Sequence, residues 1–300
     1  MKHRIIQLTK KEFPQKLKVI NNPPEILYAI GNINLLKEKS FGIIGTRKIS
    51  EYGEKNCKFF TKELTLRDIP IVSGMALGTD TIAHKTALEN NGKTIAVLGS
   101  GFDNIFPKEN LSLFEDIIKN DGLVITEYEN SVKPIKTNFP ERNRIITAIS
   151  EGILVIEAAY RSGTSITVRN AKNQKKKVFA LPGRLDSCVG VGVNKMIKNG
   201  AILTTCIEDI ISVYPEFKIR ERKNSTNIKI KKEYEEIFYI LKKDKENFES
   251  ILMKTNLNLK TLIKILTDMQ IDGIIKQDEF GIFEIVEEWK VWKIIFIIKK

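Results

Sequence analysis

Seven short β-branched runs at near-regular intervals constrain this chain more than any other feature. They are FGIIG (41–45), IPIVSG (69–74), TIAVLG (94–99), LVIT (123–126), ILVIE (153–157), KVFALPG (177–183) and AILTT (201–205). Segments with helical spacing follow them, near 51–67, 79–91, 109–119, 140–150, 163–174, 191–199 and 206–213. The runs are apolar along their length, as in strands buried on both faces. Each is followed by a helix, so the expectation is an α/β fold, a doubly wound, mainly parallel, Rossmann-like sheet over 41–215. In such sheets ligands bind beyond the carboxyl ends of the strands, in the strand-to-helix loops. The unusual residues of this sequence collect in those loops.

Outside this core, residues 1–40 read as a short lead-in with a Pro-Pro turn and an apolar patch, NPPEILYAIGN. The polar, charged stretch 216–232 reads as a linker. Residues 233–286 read as three helices and a hairpin, a small C-terminal winged-helix domain. DNA reading and protein contact fit it equally, because its third helix carries only Lys260 and Lys264 against Asp268. The tail 287–300 is apolar on both faces and has no assignment.

Lys plus Arg outnumber Asp plus Glu by 49 to 37, a net +12, which favours a polyanionic partner such as nucleic acid. A Lys-, Asn- and Ile-rich composition contributes part of that excess. The cysteines (Cys57, Cys188, Cys206) form no C-x-x-C pair and the histidines are only His3 and His84, so no zinc or other metal site is expected. No stretch has the form of a signal peptide or reaches the ~20 apolar residues of a membrane span. A soluble cytoplasmic protein with no membrane partner is expected.

The loop motifs carry the chemistry. In GIIGTRKISEYG, Gly45 permits a sharp turn, Arg47 offers a bidentate phosphate contact, and a helix starting near Ser50 offers free N–H groups. An ordinary turn with a surface arginine fits equally. SGMALGTD (73–80) is a small-residue loop that admits a phosphate or sugar, while Asp80 reads as a helix cap and His84 as a packed or surface histidine. In RSGTSITVRNA, Ser162, Gly163, Thr164 and Ser165 suit a phosphate at a helix N-terminus; a plain capping cluster fits the same residues.

NFPERNRIITAIS (138–150) is the most anomalous segment. Proline suits a first helical turn, but Arg142 and Arg144, with Asn143 between them, oppose the helix dipole. The cluster reads as an anion site. Together with Lys133 and Lys136 and the aromatic Phe139, it suits single-stranded nucleic acid, phosphates held by cations and a base stacked on the ring. Phe139 as a plug beneath the loop is the alternative. No catalytic constellation emerges, and Asp80, Glu127 and Glu157 form no evident acid–base pair.

GTRKIS, SGMALGTDTIAH, GSGFDNIFPKEN, TEY, NFPERNRIITAIS, VIEAAYRSGTSITVRNA and ALPG…GVNKMIKNGA occur in the order and spacing of DNA-processing protein A, the DprA/Smf family. The resemblance covers roughly 13–212. It implies an extended Rossmann-like, non-enzymatic, homodimeric protein without cofactor, which binds and protects single-stranded DNA and loads the RecA recombinase during natural transformation. Carried over, the DNA contacts fall on Arg47 and Ser50, the loop containing Ser73, Gly74, Ala76 and Gly78, then Lys133, Lys136, Phe139, Arg142, Asn143 and Arg144, and Ser162, Gly163 and Thr164. The larger N-terminal helical domain common in that family is missing or reduced here.

Two enzymatic alternatives are weaker. The nucleotide phosphoribohydrolases of the lysine-decarboxylase-like family carry P-G-G-x-G-T-x-x-E; here Gly163 and Thr164 match, but Thr167 stands at the glutamate position. A dinucleotide-dependent oxidoreductase would need a third glycine where LGSGFDN has Asn104.

Overall fold

Each of the seven apolar runs contributes a strand to one sheet in the computed structural model, which describes residues 3–160, 162–217, 231–278 and 280–286. These residues form two compact units, 3–217 and 231–286. Residues 218–230 of the expected linker, and the tail 287–300, lie outside the described residues.

The first unit opens with β1 (Ile6–Thr9), α1 (Gln15–Lys18) and β2 (Ile26–Gly31). The alternating core follows: β3 (Ser40–Ile44), α2 (Glu51–Thr65), β4 (Ile71–Ser73), α3 (Thr79–Glu89), β5 (Thr94–Val97), α4 (Leu111–Lys119) and β6 (Leu123–Thr126). Its second half is α5 (Asn138–Ile149), β7 (Ser150–Val155), α6 (Gly163–Asn173), β8 (Lys177–Ala180), α7 (Gly190–Lys198), β9 (Ile202–Leu203) and α8 (Glu208–Ile211). The sheet order is β1-β2-β6-β5-β4-β3-β7-β8-β9. The strands from β6 to β9 in that order are parallel throughout, as the sequence pattern requires.

The lead-in is not a separate preface. Strand β2 pairs antiparallel with β6, Ala29 opposite Ile125, and β1 pairs antiparallel with β2. The buried residues Leu27, Ala29 and Ile30 explain the apolar patch read from NPPEILYAIGN. They cover a strand edge that would otherwise present unpaired backbone groups.

Alternation along each strand builds two cores, one per face of the sheet. Ile44, Val155 and Ala180 point toward α5, α6 and α7, whose Ile145, Val168 and Val193 share their cluster. Their neighbours Ile43, Leu154 and Phe179 point the other way, toward Phe60 and Leu64 of α2 and Ala83 of α3. After β6 the chain returns through α5 to place β7 on the far side of β3. The strand order therefore reverses between β3 and β7, the place where open α/β sheets have a crevice.

The second unit contains α9 (Glu235–Lys243), β10 (Glu246–Asn247), α10 (Phe248–Lys254), α11 (Leu259–Ile271), β11 (Ile275–Gln277) and β12 (Ile282–Ile285). Its strands form an antiparallel sheet in the order β10-β12-β11. The two-residue strand β10 has no counterpart in the sequence reading, being too short to show a period. Phe238, Leu262, Leu266, Met269 and Phe283 fill a core of its own.

Candidate nucleic-acid interface

At the reversal point the head of α2 is already occupied. Ser50 caps the helix, its hydroxyl oxygen accepting the Gly53 N–H at 3.1 Å. Its own N–H and hydroxyl both donate to the Glu157 carboxylate, at 2.9 and 2.5 Å. Glu157, which follows β7, is only 3% exposed. The donors that Ser50 was expected to offer an outside anion are thus engaged within the chain.

The SGMALG loop is likewise turned inward. Ser73 is fully buried and donates to the Ile43 carbonyl at 2.7 Å. Gly74 lies against both charges of a buried cluster: a Cβ there would stand 2.6 Å from Arg142 Nη2 and 2.7 Å from Asp80 Oδ2. The Ala76 N–H donates to Asp80 at 3.2 Å. Gly78, at φ +76°, lets the loop press on the carbonyls of Thr46 and Arg47, where a Cβ would come within 2.5 and 2.6 Å. Thr79 adds hydrogen bonds from its N–H and hydroxyl to the Thr46 carbonyl, at 3.2 and 3.1 Å. The loop holds the backbone of Arg47 in place; it does not form an open cradle.

The two arginines of the anomalous helix do not stand free at its mouth. Arg142 is 4% exposed and donates to the carbonyls of Gly74 and Val97, at the ends of β4 and β5. Strand-end carbonyls lack ladder partners, so a buried guanidinium satisfies groups that would otherwise be orphaned. Burial draws the Arg142 pKa down to about 10, against the pull of Asp80, and leaves it charged at neutral pH. Its Nε donates to Asn143 Oδ1 at 3.2 Å. Next to this cluster, His84 is fully buried with Nδ1 2.6 Å from the Thr94 hydroxyl. Burial, reinforced by Arg142, holds His84 down to about 3 and therefore neutral.

Arg144 forks onto Glu127, Nη1 and Nη2 each 2.6 Å from a carboxylate oxygen, and its Nε donates to the Asn22 carbonyl at 2.8 Å. The cations that oppose the dipole of α5 are thus met by a carboxylate and by carbonyls from elsewhere in the chain. This corrects the reading of Arg142 and Arg144 as outward-facing cations.

A different group faces outward. Arg47 is exposed, and its guanidinium carbon lies 5.6 Å from the centroid of the Phe139 ring. Phe139 is half-buried; Gly99 backs it, where a Cβ would lie 2.9 Å from the ring. Phe106 packs beside it, centroids 5.8 Å apart, and is itself 45% exposed. Phe139 is therefore both plug and surface. Lys133 and Lys136, on the loop into α5, are exposed, as is Ile135 between them. Sequence reasoning overlooked Phe106, whose signal was an aromatic in the loop after β5.

Across the reversal point, α6 begins with no acidic residue in its first turn and no side-chain cap. Gly163 is exposed with open space at its Cβ position, and the Ser162 hydroxyl is buried without a hydrogen-bond partner among the described residues. Thr164 donates to the Gly45 carbonyl at 3.3 Å, which joins this helix to the Arg47 turn. Thr167, at the glutamate position of the phosphoribohydrolase pattern, is buried. Among the described residues no group of acids, cysteines and histidines could hold a metal ion.

Residues 4–215 match the sequence model of the DNA recombination-mediator protein A family. The chain belongs to that family. DNA processing protein DprA of Bacillus subtilis is 38% identical over 216 residues, 72% of each chain. Its counterpart in Streptococcus pneumoniae is 40% identical over 202 residues, 67% of this chain and 71% of that protein. Protein Smf of Escherichia coli is 39% identical over 209 residues, but this chain spans only 56% of its length. Two solved structures carry the recombination-mediator fold onto this chain. The Streptococcus pneumoniae DprA structure has a TM-score of 0.67 at 38% identity, covering 70% of this chain and 74% of that one. DNA processing protein A from Helicobacter pylori, in a structure concerned with its single-stranded DNA binding mode, has a TM-score of 0.65 at 31% identity. That match covers 71% of this chain and 97% of the other. The α/β architecture of this recombination-mediator family is thus the architecture of the first unit.

Proposed function

We propose that this chain is a non-catalytic recombination mediator that binds single-stranded DNA over the outer rim of the strand-to-helix loops. The observation that carries the reading is the exposed Arg47 guanidinium set against the Phe139 ring, with Phe106 beside it and Lys133 and Lys136 nearby in the chain. Cations hold successive phosphates and aromatic faces accept bases, a combination that tolerates any sequence. The N-terminus of α6, open at the exposed Gly163, supplies a further phosphate seat on the same rim. A catalytic role draws no support from the acids of the site, because Asp80, Glu127 and Glu157 are each engaged in internal contacts.

By family kinship the bound strand is protected and passed to the RecA recombinase by a cytoplasmic homodimer. No helix among the described residues is long and apolar enough to cross a membrane. The second unit, three helices with a three-stranded antiparallel sheet, is read as a winged helix used for protein contact. Fluorescence anisotropy of a labelled single-stranded oligonucleotide, at two salt concentrations and against duplex competitor, tests the central reading. Tight, salt-sensitive binding that duplex fails to displace supports it; equal displacement by duplex reduces it to generic basic charge.

A further inference from the structure

The first helix after the first parallel strand of a Rossmann-like sheet is where the pyrophosphate of a nucleotide ordinarily sits, held by free N–H groups and the helix dipole. Here that helix is α2, and its first turn is met by Glu157 from the opposite side of the reversal point. The carboxylate takes both donors of Ser50, at 2.9 and 2.5 Å. Gly53 leaves the room for it, since a Cβ there would stand 2.5 Å from Glu157 Oε2 and 2.6 Å from its Cδ. A glycine inside a helix costs stability relative to alanine, so the close approach of the carboxylate gives this position its reason. Glu157 is buried, and its carboxyl group stands at the helix end where a phosphate would sit.

We infer that Glu157 is a specificity-determining residue: it fills the phosphate seat at the head of α2 from within the chain and so keeps free nucleotides and pyrophosphate out of the crevice. The rim outside the crevice is left to a strand that is held along its length. The inference deepens the single-strand reading and rests on it only for the ligand that is admitted.

The test is isothermal titration calorimetry of the full chain with inorganic pyrophosphate, in wild type, Glu157→Ala, Glu157→Gln and Glu157→Ala/Ser50→Ala. Glu157→Ala is expected to bind pyrophosphate about tenfold or more tightly than wild type, as one charge-assisted contact at a helix N-terminus supplies. Glu157→Gln keeps the side-chain volume and one acceptor for Ser50 but removes the charge, so a smaller gain, about threefold, is expected from relief of repulsion. Ser50→Ala in the Glu157→Ala background removes the hydroxyl donor and keeps the backbone N–H groups, so it should reduce the gain in part, which locates it at α2. If Glu157→Ala does not fold, the glutamine variant decides. Affinity no better than wild type in every folded variant overturns the proposal. Oligonucleotide binding by wild type is measured alongside. Its absence would remove the single-strand reading, while the pyrophosphate titrations still decide the role of Glu157.

Discussion

Arg144 grips Glu127 with both terminal nitrogens at 2.6 Å, and both side chains are largely buried. The same guanidinium holds the Asn22 carbonyl, so one side chain ties the loop between α1 and β2 to the loop after β6. Removing it would leave a shielded carboxylate unpaired. Arg144→Ala is expected to lower the free energy of unfolding by about 2–4 kcal/mol, read from urea denaturation. The salt dependence of oligonucleotide binding should stay as in wild type. A flattened slope with unchanged stability would instead return Arg144 to the phosphate-contacting set.

Arg47 and Phe139 should separate charge from stacking. Arg47→Ala is expected to weaken single-strand binding and to reduce the log–log salt slope by about 0.7, the loss of one phosphate contact. Phe139→Ala should cost about 1–3 kcal/mol of binding and leave the slope unchanged. Phe106→Ala, at the exposed side of the same aromatic pair, should show a loss of the same salt-insensitive kind. Anisotropy titrations at several salt concentrations measure all three, and a salt-dependent Phe139→Ala loss would contradict the stacking role.

The sheet was legible because strands buried on both faces announce themselves by composition alone, and the helices between them by period. The same rule located the loops that bear the site. It failed where information is relational. Ser50 and Glu157 are 107 residues apart, and nothing in either segment marks them as partners. The cations at the start of α5 are an electrostatic anomaly in the sequence, and the anomaly is resolved from inside by the Gly74 and Val97 carbonyls and by Glu127. Strand β2 was missed because its apolar run falls outside the strand-and-helix alternation. The outward pair of Arg47 and Phe139 joins the turn after β3 to the first turn of α5, and nothing in either segment signals that the two meet.

His84 should make the fold sensitive to mild acid. It is buried, bonded to Thr94, and held down to about 3 by burial and by Arg142, whereas an unfolded histidine titrates near 6.5. Below the unfolded value the unfolded chain takes up a proton that the native chain refuses, so stability falls as pH falls toward 3. The slope for one proton is about 1.4 kcal/mol per pH unit. Between pH 6 and 5, ahead of most carboxylate titration, urea midpoints of wild type should drop more than those of His84→Gln. Equal drops in the two proteins would mean that His84 is not excluded from protonation in the native state.

The second unit should contribute little to strand binding. Residues 233–286 hold seven lysines and no arginine against eleven acidic residues, in a chain whose net charge is +12. The solvent face of α11 exposes Leu259 and Ile263 as well as Lys260 and Lys264, a surface closer in character to a protein contact than to a phosphate track. The first unit has its own cores and carries every residue assigned to the rim. A chain ended after Lys232 keeps the cations of the 218–232 stretch and loses only the acidic unit and the tail. It should bind a single-stranded oligonucleotide within about threefold of the full chain, with the salt slope altered by less than about one phosphate. If the shortened chain stays folded but loses much of its affinity and its salt slope, the second unit or the tail touches the strand and the division of labour drawn here is wrong.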